Sequence, residues 1–295
     1  MVTITSLTLL YFVFGSIIGS FLGVCAYRIP MGKYEPIHEG VKELNRPLSI
    51  VRPARSFCPK CEQTLAWWHT IPLVSWLILR GRCGHCEAKI PFRYFFIELL
   101  TGALCALTFL RFGPTLTGLV AFGFIALFII INFIDLDYMI IPDVITYPAT
   151  FIGLAIGVIN RFAPSQVLGY PFVSSPLESL YGLLMGPGLL LAVWWLYFKI
   201  RKREGLGLGD VKFLAVVGAT FGMESAWFTI FFGSVLGSII AILSLVARRG
   251  SLASYFPFGP YLVIAAIAYL LDLHLVIAHV LNPTTPLTWW IATQL

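Results

Sequence analysis

The stretch INFIDLDYMIIPD, Ile131 to Asp143, closes an apolar run that begins near Thr115 and places Asp135, Asp137 and Asp143 within nine residues. The run before it approaches the roughly 20 residues that a helix needs to cross a bilayer. Acids at the end of such a run are costly in lipid, so they face a protein interior, a wet cavity or the water boundary. The rest of the chain reads the same way. Its 295 residues are 58% hydrophobic and only 12% charged, with a mean hydropathy of +0.87, far from the balance of a soluble domain.

Eight segments are candidate spans: roughly 7–27, 94–110, 115–134, 144–159, 177–198, 211–222, 225–246 and 258–277. Their apolar residues cover nearly every helical face, so length and flanks carry the assignment rather than periodicity. The expected fold is an all-α polytopic membrane protein with about eight transmembrane helices. The first segment lacks a basic leader and a small-residue cleavage site, which reads as a retained span. No repeat or low-complexity tract stands out.

Lys and Arg in the short loops set the orientation. With residues 28–93 in the cytoplasm, eighteen of the twenty basic residues lie inside and only Arg111 and Arg161 outside. Both termini are then outside. The net charge of +6 is a topology signal that suits anionic lipid headgroups, and nucleic-acid binding need not be invoked. The chain divides into a first span, 1–27, a cytoplasmic loop region, 28–93, and a polytopic remainder, 94–295.

That topology puts Asp135, Asp137 and Asp143 on the same membrane face as GLGLGD, which ends in Gly207-Leu208-Gly209-Asp210. Two carboxylates that share a site do not ionise together easily, so one stays protonated while the other activates water. Glycines beside them allow a peptide backbone to approach. Asp135 and Asp137 point about 200° apart on a helix, so only one of them can face Asp210. Taken singly, each acid is also compatible with a plain helix cap at the water interface. Asp143, after Pro142, has the position of an N-cap.

Four of the six cysteines form CPKC, Cys58 and Cys61, and CGHC, Cys83 and Cys86. This is close to the spacing of a tetrahedral zinc site, and a reducing cytoplasm disfavours disulfides. The four thiolates complete the shell without His85. Cys25 and Cys105 read as small hydrophobes. His38, His69, His274 and His279 have no partner legible in the sequence. WWHTIPLVSWLIL is too short for a ninth span and suits the membrane interface.

Together, GSFLGVCAYRIP, the paired CxxC loop, GRCGHCEAKIPFRYFFIELLTG, IDLDYMIIPDVITYP, GLGLGDVK and FPFGPYL resemble the type IV prepilin peptidases, GxGD-type membrane aspartic proteases, over nearly the whole chain. The resemblance implies Asp135, seven residues before Pro142, and Asp210 as the catalytic pair, with Pro142, Gly207 and Gly209 in the active-site motifs. It implies cleavage of a short basic leader from prepilins or type II secretion pseudopilins at the cytoplasmic face of a bacterial inner membrane. It also implies N-methylation of the new terminus with S-adenosylmethionine, tied to residues 28–93. The wording departs from the family at Gly23, where GSFLNV has Asn, at His69, where WxNIP has Asn, and at Phe95, where Pro is usual. Three alternatives remain at this stage: a peptidase without methyl transfer, a cation transporter using its intramembrane acids, and a non-catalytic zinc scaffold for a secretion assembly.

Overall fold

The structure, a computed structural model, describes residues 4–31, 49–50, 52–163, 167–202, 207–248 and 257–273. His38, His274 and His279 lie outside them. Among the described residues there is no strand, only two isolated bridges, Phe57 with Thr64 and Arg82 with Lys89. The chain falls into two compact units, Met1–Met139 and Ile140–Leu295.

The first unit holds α1 (Ile4–Arg28), a 3-10 turn (Trp67–Thr70), α2 (Val74–Ile78), α3 (Phe92–Phe112) and α4 (Leu116–Tyr138). α1 and α3 pack backbone to backbone, because a Cβ on Gly15 or Gly19 would run into Thr101, Gly102, Glu98 or Cys105. Small facing residues replace hydrophobic drive as the basis of helix packing in lipid. Cys25 and Cys105 are buried free thiols in these helices, as their apolar surroundings suggested. Thr115 starts α4 by accepting the Gly118 N–H, meeting one of the donors that a helix start leaves open.

The second unit holds α5 (Asp143–Phe162), α6 (Pro176–Arg201), α7 (Leu208–Arg248) and α8 (Gly259–Leu270). Its core is the first arm of α7, where Phe213, Leu214, Val216, Val217 and Ala219 are fully buried. α6 and α7 touch at Gly182 and Gly218, whose backbones leave no room for a Cβ on either. Ser175 caps α6, and Glu178 reaches back to the amide and hydroxyl of Ser174. Asn160 ties the following loop to α5 through Leu168 and Val173.

Among the described residues, six helices are long and apolar enough to cross a membrane: α1, α3, α4, α5, α6 and α7. The segments 211–222 and 225–246 correspond to the two arms of α7, which break at Gly222, whose φ of 84° and ψ of −179° interrupt the helix. That backbone region is essentially reserved for glycine, which is why the break falls there. The segment 258–277 is represented by α8, 12 residues long.

Candidate active site and metal centre

Asp135 lies in the last turn of α4, buried on the face it shares with Phe128, Ile131 and Tyr138. Its Oδ2 is shut off from solvent and has no hydrogen-bond partner. An unmet buried acceptor is normally selected against, and functional sites are where such groups persist. The helix ends just beyond it because Met139 turns left-handed, at φ 50°, and donates its N–H to the Asp135 carbonyl at 2.8 Å.

Asp137 points elsewhere, as the helical period requires. Its carboxylate pairs with Arg93 of α3 at 2.5 Å, and both side chains are half-buried. The sequence left Asp137 without a partner because the pair is 44 residues apart along the chain.

In the second unit, Asp210 lies in the first turn of α7. Its carboxylate is buried and favoured there by the positive end of the helix dipole. Gly207 lies alongside, its Cβ position 3.5 Å from Asp210 Oδ2, so glycine leaves that side of the acid open. Gly209 is packed on Ile141, and a Cβ there would come within 3.1 Å of the Ile141 Cβ. The two motifs are thus fitted together inside this unit, the IIPD end of one against the GLGD end of the other. Lys212 completes the junction, reaching Asp143 at 2.5 Å.

Asp143 departs from the expected N-cap. Pro142 occupies that position, with no side-chain cap, and Asp143 is the first helical residue of α5, paired with Lys212. Proline fits there because it has no N–H to leave unmet.

The four cysteines converge. Their sulfurs all lie within 4.8 Å of one another, with Cys58 Sγ and Cys86 Sγ 3.9 Å apart. A tetrahedral thiolate shell with bonds of about 2.3 Å spaces its sulfurs by about 3.8 Å, so this donor set fits a metal ion. Each half is built alike. The first cysteine donates its N–H five residues on, Cys58 to Gln63 and Cys83 to Ala88, and accepts from the amide of a left-handed glutamate, Glu62 or Glu87. The bridges Phe57–Thr64 and Arg82–Lys89 fall at the same offsets. This is a short internal repeat, C-x-x-C-E, inconspicuous in the sequence because only three of its residues recur.

Burial pushes the Cys83 thiol up, but the amides of Cys86 and His85 and the neighbouring thiols outweigh it and bring it down to about 7. Burial raises Cys58. Cys86 is raised to about 11: the Ala88 amide pulls it down, but burial and the thiols of Cys61, Cys83 and Cys58 outweigh that. The cluster is thus poised to release the Cys83 proton near neutrality, while Cys58 and Cys86 hold theirs until a cation displaces them.

His69 also gains a setting the sequence did not offer. Its ring lies edge-on to His85, 5.8 Å between centroids, and packs against Gly84, where a Cβ would come within 2.9 Å. The 3-10 turn is therefore seated on the second cysteine knuckle. Trp67, Trp68 and Ile78 of the same stretch remain exposed, and Trp76 is held by Phe92, Phe95 and the Ile90 carbonyl. Glu98 of α3 accepts the amide of Leu73 at 2.7 Å, fixing a residue with φ 62°.

Arg28 reads in the sequence as one more basic loop residue, yet it is buried at 6% exposure. Its guanidinium donates to the carbonyls of Ser49, Ile50 and Pro53 and, more weakly, Arg55, and stands 5.9 Å over the Phe57 ring. It fastens the approach to the cysteine cluster onto the end of α1. The signal available in sequence is only its place two residues before Pro30, at the close of an apolar run.

Comparisons with known proteins agree with these motifs. A family model described as the bacterial peptidase A24 N-terminal domain matches residues 13–112, and one described as the type IV leader peptidase family matches residues 122–242. The chain is 33% identical over 267 residues to the prepilin leader peptidase/N-methyltransferase of Aeromonas hydrophila, covering 87% of each chain. It is 32% identical over 264 residues to that of Stutzerimonas stutzeri, covering 86% of each, and 34% identical over 265 residues to that of Neisseria gonorrhoeae, again 86% of each. No solved structure matches significantly.

Proposed function

The chain belongs to the type IV leader peptidase family, and from that premise we propose that it is a multi-pass inner-membrane aspartic peptidase that removes the short basic leader of prepilins or pseudopilins at the cytoplasmic face and then N-methylates the new terminus. The observation that carries this is Asp135: a buried carboxylate with an unmet oxygen at the end of a membrane-length helix, in the position that the family motif selects.

Asp135 and Asp210 are the acid–base pair of this reading. One of them, ionised, takes a proton from water as its oxygen attacks the scissile carbonyl. The other, protonated, gives its proton to the departing amine nitrogen as the C–N bond breaks. Support comes from each acid separately. Both are buried at helix termini, and in the second unit Gly207 lies alongside Asp210 while Gly209 packs on Ile141. Asp137, held by Arg93, stands outside the pair.

Zinc is the metal of the cysteine cluster, bound by Cys58, Cys61, Cys83 and Cys86, with a structural role since four thiolates leave no open position. S-adenosylmethionine is the methyl donor that the resemblance implies, and it would supply the methyl group that the new terminal amine accepts. Lipid headgroups are the partner of the basic residues flanking the cluster. The test is mass spectrometry of a prepilin-like substrate after incubation with purified protein and S-adenosylmethionine. Cleavage and a 14 Da methyl increment support the reading, the increment following from the mass of CH2. Asp135→Asn and Asp210→Asn should each leave the substrate uncut, and cleavage at the normal rate by either variant would refute the assignment.

A further inference from the structure

The apolar run of α4 contains one side chain that its surroundings leave unexplained. Asn132 interrupts ALFIIINFID three residues before Asp135, so the two side chains are neighbours about one turn apart on the same side of the helix. Phe128, fully buried, precedes Asn132 by four residues on that side. The Oδ1 of Asn132 is closed off from solvent and accepts no hydrogen bond, and the same holds for Asp135 Oδ2. A carboxamide in a membrane helix is expensive, and an unmet buried acceptor adds to the cost. Leucine would avoid both.

Two successive acceptors without donors call for a partner rich in donors. The first four N–H groups of a helix have no partner inside it. A substrate whose apolar segment enters the bilayer just after its scissile bond carries such donors to a depth where water does not meet them. Asn132 lies about 4.5 Å along the α4 axis from Asp135, toward the middle of the span. In a substrate whose apolar segment follows the cleaved leader directly, that segment runs from the scissile bond in the same direction. We propose that Asn132 is a substrate-binding residue of the peptidase: its Oδ1 accepts a backbone N–H from the first turn of the substrate's membrane segment and so sets which peptide bond lies at Asp135. This rests on the reading of Asp135 as catalytic.

The test uses full-length protein in lipid nanodiscs and a prepilin-like substrate in which one backbone amide at a time, at the second, third or fourth residue after the scissile bond, is replaced by an ester. Initial rates are read by intact mass. One of the three esters should raise KM about 3- to 10-fold, the scale of a single hydrogen bond, with kcat little changed. Asn132→Leu should raise KM for the all-amide substrate by a similar factor and become insensitive to that ester. Its thermal midpoint should equal or exceed that of the unaltered protein, because the variant removes an unmet polar atom, whereas a structural role predicts a fall. The inference is overturned if no ester changes KM in the unaltered protein, a result that needs no variant to fold. Asn132→Leu with unchanged KM, or with undiminished ester sensitivity, also overturns it. Asp135→Asn, run alongside, reports separately on the underlying reading: turnover by that variant sinks the catalytic assignment, while the ester comparison still decides the role of Asn132.

Discussion

Replacing Arg28 with Gln should loosen one short segment and leave the rest of the molecule intact. The guanidinium holds the carbonyls of Ser49 and Ile50 at 3.2 Å, Pro53 at 2.8 Å and Arg55 at 3.4 Å. Charge-assisted bonds reach about 1.5–3 kcal/mol each when fully buried. Here Ser49, Ile50 and Arg55 are exposed, so water replaces much of what is lost, and about 0.5–1 kcal/mol per bond is the appropriate scale. The four bonds together give about 2–4 kcal/mol, or about a 30- to 700-fold shift toward the open segment. Lysine, with one ammonium in place of a planar fork, should recover less than half. The assay is hydrogen exchange by mass spectrometry on peptides covering residues 49–57, in detergent, with the cysteine cluster loaded with zinc so that its own opening is suppressed. Exchange there should accelerate by that factor while peptides of α5 to α8 are unchanged. Unaltered exchange in 49–57, or acceleration spread evenly through both units, would refute the view of Arg28 as a local latch. Methyl transfer, which the family ties to this region, should fall further than cleavage.

Asp137→Asn should keep most of its peptidase activity and lose about 1 kcal/mol of stability from the half-buried Arg93 pair, read by a thermal shift; an inactive but well-folded variant would move Asp137 into the chemistry. Purified protein should carry about one zinc by elemental analysis, and a reduced, active preparation without metal would contradict the cluster's assignment. With metal stripped, protease resistance of residues 52–93 should peak near pH 9. Cys83, lowered to about 7, contributes stability above its ordinary value of 9.0 that fades as pH falls through 7. Cys86, raised to about 11, contributes stability below 9.0 that is lost as pH rises toward 11. A profile flat from pH 7 to 11 would show that the thiols do not titrate as the geometry implies.

The helices were legible because crossing a bilayer demands long apolar runs, a requirement the sequence cannot disguise. The acids were legible because charge is so rare beside those runs. Asp143 was misplaced because an N-cap and the first helical residue differ by one position, and only the backbone of Pro142 distinguishes them. Arg28 and the Arg93–Asp137 pair were hidden because a basic residue near a membrane looks alike whether it meets headgroups, carbonyls or a distant carboxylate. The exact point at which the two expected segments part follows from the single backbone angle at Gly222, which composition does not reveal. Asn132 offers the sequence no more than an amide in an apolar run, and only its unmet oxygen in the structure marks it out.

The break at Gly222 also bears on how the bilayer meets the proposed site. The arm from Leu208 to Phe221 has fourteen residues, a rise of about 21 Å, against a hydrocarbon layer of about 30 Å. Taken as a span of its own, a helix that short leaves roughly 9 Å of mismatch, relieved by local thinning of the lipid or by water drawn in toward its ends. Asp210 sits at one of those ends, so the reach of solvent that hydrolysis requires is built into the length of the helix that carries the acid.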